Sequence, residues 1–87
     1  MALYPFTAST DFAGKGKLLS NWMLQSTAGT VVTFKSGGTG GTTLFKVQLA
    51  ANSSQHAEYS HGHVPIAVGS WYVDIGAGDC TGCLDLT

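Results

Sequence analysis

Arginine is absent from this chain, and charged side chains of either sign make up only 10% of its 87 residues. With a formal net charge of −1, the sequence lacks the basic footprint that neutralising a phosphate backbone demands, so nucleic acid is not an expected partner. A surface so poor in charge is weakly protected against sticking to other surfaces, which points to a subunit of an assembly rather than a freely circulating monomer. No apolar run approaches the roughly 20 residues of a membrane span. Residues 1–12 show neither a basic region nor a continuous apolar stretch of the kind that opens a secretion leader. Synthesis in the cytoplasm, with no membrane partner, is the expectation. Without a leader, Asn52-Ser53-Ser54 reads as a polar turn and not as a glycosylation site.

Signatures of catalysis are missing as well. No serine lies in a Gly-x-Ser-x-Gly elbow, and the acids Asp11, Glu58, Asp74, Asp79 and Asp85 are scattered singly. Neither a nucleophile triad nor a carboxylate pair assembles from them. Residues 36–43 are glycine-rich but lack the Lys-Ser/Thr ending of a phosphate loop, and Gly14-Lys15-Gly16-Lys17 lacks the upstream glycine. Neither enzymatic activity nor a cofactor is expected.

What the chain does have is β-grammar. Residues 30–35 and 43–49 are dense in β-branched and aromatic side chains, and the intervening 36–41 holds four glycines. That is a hairpin reversed on a loop able to adopt positive φ. Phe45, Val47 and Leu49 fall on one face, Lys46 and Gln48 on the other. Residues 17–25 put Leu18, Trp22 and Leu24 on one face and Leu19, Asn21, Met23 and Gln25 on the other, a strand rather than a helix because no cap supports the latter. Residues 55–59 follow a turn at Ala51-Asn52-Ser53. The apolar run 64–68 is broken by Pro65, which confines it to an edge or a bulge. Residues 70–75 alternate Trp71, Val73 and Ile75 inward with Tyr72 and Asp74 outward, and residues 80–86 return as a last strand with Leu84 and Leu86 opposed to Asp85. Six to seven strands at roughly ten-residue spacing predict an all-β domain, a small antiparallel β-sandwich or jelly-roll-like barrel over residues 17–87. A chain this short buries only about 60–65% of its unfolded surface, so association with partners would help it.

Residues 1–16 are expected to form an extended N-terminal arm. Tyr4 and Phe6 alternate with small polar residues around Pro5, and the segment ends in the joint Ala-Gly-Lys-Gly. Two aromatics in such an arm call for a neighbour to cover them, and residues 1–8 docking as an edge strand on an adjacent subunit or on a larger shell would do so, which leaves the arm dispensable for folding of the sandwich itself. Tyr4 and Phe6, with Tyr59 and Tyr72 as surface aromatics, are therefore the candidate interface residues. An aromatic platform of Trp22, Trp71, Tyr59 and Tyr72 for a sugar is the competing reading. It is opposed by the inward faces assigned to the two tryptophans.

The order of a glycine-opened strand, Thr-Val-Val-Thr-Phe, a Gly/Ser/Thr loop, Leu-Phe-Lys-Val-Gln-Leu-Ala-Ala-Asn-Ser-Ser, a short polar strand, Val-Pro-Ile, Gly-Ser-Trp-Tyr-Val-Asp-Ile-Gly and a final strand resembles small structural proteins of tailed bacteriophages. The resemblance runs from about Gly16 to Thr87 and rests on strand rhythm. It implies a compact β-sandwich on the virion, decorating or cementing the capsid, with the major capsid protein or other virion proteins as partner. The short chain, the sparse charge and the aromatic arm separately predict a homo-oligomer, a trimer first. A connector or tail position on the same particle is the alternative the resemblance leaves open. Cys80 and Cys83 depart from that pattern, which has small or β-branched residues there.

Cys80-Thr81-Gly82-Cys83, with His61 and His63, has the two sulfurs and two nitrogens of a tetrahedral zinc site. Residues three apart on a strand point to opposite faces, so a shared metal, or a Cys80–Cys83 disulfide, requires Thr81-Gly82 to form a turn. The plainer expectation is two small thiols in a terminal strand and no metal. His56, His61 and His63 invite a catalytic or pH-switch reading by residue type, but surface and loop histidines are commoner and that is the expectation for them.

Overall fold

The computed structural model describes residues 2–15, 19–58 and 70–86. Eight strands run through these residues: β1 (Ala2–Phe6), β2 (Thr10–Asp11), β3 (Leu19–Ser26), β4 (Thr30–Ser36), β5 (Thr42–Leu49), β6 (Ser53–Glu58), β7 (Trp71–Ile75) and β8 (Thr81–Leu86). They form two four-stranded antiparallel sheets, ordered β1-β8-β3-β6 and β2-β7-β4-β5. The pairing is nested, first strand with last, second with seventh, third with sixth, fourth with fifth. That is the connectivity of a jelly roll, a sandwich made by rolling up one long antiparallel ribbon.

The alternation read from sequence accounts for most of the core. Trp22, Leu24, Val32, Phe34, Val47, Leu49, Trp71, Val73, Leu84 and Leu86 all point between the sheets and are buried. Phe34 sits at the centre, stacked on Phe45 with centroids 4.4 Å apart and tilted against Trp22 at 5.9 Å. Trp71 meets it edge-on at 6.3 Å.

Leu19 breaks the expected alternation and is fully buried. Its register with β8 steps from Leu19 opposite Leu86 to Asn21 opposite Asp85, so Ser20 is the extra residue of a bulge that resets which side faces in. Leu44 plays the same part in β5, where the register passes from Phe34 opposite Phe45 to Lys35 opposite Thr43.

Residues 1–16, expected as an arm outside the domain, contribute two of its strands. Five consecutive residues of β1 pair with β8, from Ala2 opposite Leu86 to Phe6 opposite Gly82. Phe6 and Phe12 are buried and meet edge-on at 5.9 Å. The physical reason is that β8 would otherwise be a bare sheet edge, and a strand that covers it places Phe6 over the core. The expected six to seven strands thus become eight. The run 64–68 read as an edge or bulge lies outside the described residues.

The β-turns at one end of the sandwich are tied together. The Asp79 carboxylate, before β8, accepts the Ala28 N–H at 2.8 Å, the Thr27 hydroxyl at 2.7 Å and the Thr27 N–H at 3.2 Å. The Ser26 hydroxyl donates to the Asp79 carbonyl at 2.6 Å and accepts the Gly29 N–H at 2.9 Å. Gly78 fits this junction because it has φ +106° and a Cβ there would run into the Gly29 carbonyl oxygen.

Candidate functional site

The sequence motif with the most chemical content, Cys80-x-x-Cys83, is drawn out straight. Thr81 and Gly82 lie within β8, opposite Gln25 and Leu24 of β3, and make no turn. Cys80 is buried next to the core, whereas Cys83 is half-buried in register with Met23 on the outer side of its sheet. Both thiols are free. Burial pushes the Cys80 thiol above its ordinary range, with the neighbouring Asp79 charge adding to the effect. Gly82 is required between them, since a Cβ there would meet the Met23 carbonyl oxygen. His61 and His63 lie outside the described residues, and among the described residues no three His, Cys, Asp or Glu side chains are grouped to hold a metal.

Of the four candidate interface aromatics, Phe6 is in the core. Tyr4 is half-buried, its ring 6.3 Å from Phe12, its hydroxyl donating to the Lys15 carbonyl at 3.2 Å and the Lys15 ammonium 5.8 Å from its centroid. These contacts hold the chain after β2 against β1. Tyr72 is half-buried on the outer side of β7, in register with Lys35 and Asp11. Tyr59 lies outside the described residues.

Comparison with family models, with curated proteins and with solved structures found no match. The surfaces must speak for themselves, and two sheet faces carry groups that the alternation pattern did not single out.

On the outer face of β1-β8-β3-β6, Leu3 is 60% and Met23 57% exposed. On the same face Asp85 stands opposite Leu3 on one side and Asn21 on the other, whereas Met23 is flanked by Cys83 and His56. Although Asp85 alternates with the core residues Leu84 and Leu86, it is only 1% exposed. Its Oδ2 accepts the Asn21 amide at 3.3 Å, and its Oδ1 is buried with no hydrogen-bond partner. Beside this row, Asn21, Trp22, Met23, His56 and Ala57 line a shallow cavity of about 230 Å³.

On the outer face of β2-β7-β4-β5, Val31 is 39% exposed and Lys46 is exposed. Lys46 pairs across the strands with Thr33 and stands diagonal to Val31. Lys35 on the same face is engaged, 3.3 Å from the Asp74 carboxylate and donating to the Thr39 carbonyl at 3.1 Å. The sequence signal for Val31 was the adjacent pair Val31-Val32 in a strand, one of which must face out. Met23 carried the same signal as an apolar side chain on the polar side of β3.

Proposed function

We propose that this chain is a non-enzymatic structural protein of a bacteriophage particle that decorates or cements the capsid through protein–protein contacts. The supporting observation is how the sandwich spends its side chains. The aromatic residues Phe34, Trp22 and Trp71 are committed to the core, while the broad sheet faces present isolated apolar groups on a surface poor in charge. Such faces suit contact with other folded subunits. The strand rhythm of residues 16–87, which resembles tailed-phage virion proteins, supplies the kind of assembly. In this reading the major capsid protein is the partner, and the chain is made in the host cytoplasm and carried on the virion as a homo-oligomer.

The carbohydrate-binding alternative needs an aromatic platform at the surface. Trp22 is 7% exposed and Trp71 fully buried, and a sugar stacks on an exposed ring face. No feature of the described residues favours it.

The test is co-sedimentation of the purified protein with assembled phage shells and, separately, with tails. Saturable binding to shells is the expected result. Binding to tails alone would move the protein to the connector or tail, and binding to neither would overturn the virion role.

A further inference from the structure

We propose that β6 is the edge through which this chain pairs with a second copy of itself, two β6 strands running antiparallel about a two-fold axis at His56, so that the β1-β8-β3-β6 sheet continues from one copy into the other. The inference rests on the backbone of that edge and not on the virion reading.

Among the described residues the two sheets end in β1 and β6, and in β2 and β5. An open edge is a row of N–H and C=O groups that another strand can take up, and three of these four edges are blunted. β1 carries Pro5, which has no N–H to offer. β2 is only 2 residues long. β5 is bulged at Leu44, carries Lys46, and has its Gln48 carbonyl filled by the Gln55 amide at 2.9 Å. β6 has none of these devices. Its sequence, Ser-Ser-Gln-His-Ala-Glu, holds no proline, glycine or lysine, and it pairs with β3 from Asn21 opposite Glu58 to Ser26 opposite Ser53 without a shift of register. Ser54, Gln55 and His56 are exposed in succession, so the strand is open on both side-chain directions.

The groups that point outward follow from the ladder on the other side of β3. A Cβ on Gly82 would strike the Met23 carbonyl oxygen, so that carbonyl faces β8. Alternate residues of a central antiparallel strand bond to opposite neighbours. Met23 therefore bonds toward β8, and Trp22, Leu24 and Ser26 bond toward β6, where they meet Ala57, Gln55 and Ser53. Pro5 fits the same alternation, because it stands opposite Cys83, whose own N–H and C=O are turned to Met23. The N–H and C=O groups of Ser54, His56 and Glu58 are left facing out.

Those three residues are evenly spaced about His56, which makes the edge complementary to itself. A copy related by a two-fold axis places His56 opposite His56 and Ser54 opposite Glu58, and every outward N–H and C=O of these residues then bonds across the axis. Only an extended backbone answers such a row, and this register opposes no two side chains that carry like charge when the imidazoles are neutral. A pairing of one short strand is smaller than a standard interface, so the dimer belongs to the weak, reversible class.

The experiment uses the full-length chain alone, with no particle present, in sedimentation velocity runs from about 1 μM to about 1 mM at about pH 8, where imidazole is uncharged. Wild type should pass from monomer to dimer as concentration rises. His56→Pro removes an outward N–H that β3 does not use, so the chain should fold and dimerise about tenfold or more weakly. His56→Lys and His56→Glu each set like charges opposite one another and should weaken the dimer similarly, whereas an equimolar mixture of the two should dimerise more tightly than either alone. A wild type that stays monomeric throughout, variants that dimerise as wild type does, or a mixture that gains nothing over its components would overturn the proposal. Should His56→Pro fail to fold by circular dichroism, the two charged variants carry the test, since His56 is exposed. Co-sedimentation with shells is read independently, so failure here is distinct from failure of the virion role.

Discussion

Phe34 is the side chain on which the two sheets close, since it touches Trp22 from one sheet and Phe45 and Trp71 from its own. Truncating it leaves a cavity among three rings that cannot collapse together. Phe34→Ala should therefore cost about 3–5 kcal/mol, read from the urea midpoint. Asp79 stabilises by a different route. The Ala28 N–H, followed by the Thr27 hydroxyl, holds its carboxyl below the ordinary value of 3.8. A carboxylate whose folded pKa is depressed contributes stability above its unfolded pKa and loses it as pH falls through the folded one. Tm should accordingly begin to drop as the pH passes below about 4, and Asp79→Asn should flatten that part of the profile. An unchanged profile in the variant would remove Asp79 from the account. The two cysteines should also separate. Cys83 is half-buried, whereas Cys80 is buried with its thiol pKa raised. Ellman's reagent should modify Cys83 in the native protein at neutral pH and Cys80 only after denaturation.

At the scale of elements, β1 and β2 decide what the domain is. Removing residues 1–12 would strip the β8 edge and take Phe6 and Phe12 out of the core, each burial worth about 1.5–3 kcal/mol. The truncated chain should lose its cooperative thermal transition by circular dichroism, and a shortened chain that melts like the full one would show these strands to be dispensable. Local pattern was enough to find the β4-β5 hairpin, because four glycines reverse two β-rich runs that pair with each other. It was enough for β7 and β8 too, where strict alternation marks Trp71, Val73, Leu84 and Leu86 as core. It could not find the place of β1. Pro5 and the glycine-lysine joint read as a loose segment, and the partner that orders it lies at the other end of the chain, beyond the reach of any local rule. The bulge at Ser20 was hidden for a related reason, since it exists only in the register with β8. For the candidate site, the exposure of Met23 and Val31 was implicit in the alternation. The burial of Asp85 was not, because a lone aspartate alternating with Leu84 and Leu86 reads as a solvent-facing charge.

For the whole molecule, the nested pairing means that β4 and β5 meet first along the chain and β1 and β8 last. Contacts between sequence-distant strands dominate, as in other slow-folding all-β domains. The nesting has a mechanical side as well. Ala2 stands opposite Leu86, so the two ends of the fold are the two strands of a single antiparallel ladder. Tension applied between residues 2 and 86 loads that first rung alone and then each rung in turn, peeling β1 from β8 like a zipper instead of shearing all the hydrogen bonds at once. Stretched by its ends in an optical trap, the protein should open at lower force than when it is held by engineered cysteines at Lys46 and Gln25, whose handles do not grip that ladder. Any sequence joined to both ends would hang from neighbouring strands on one margin of the sandwich, and a pull on that pair would reach its weakest seam first.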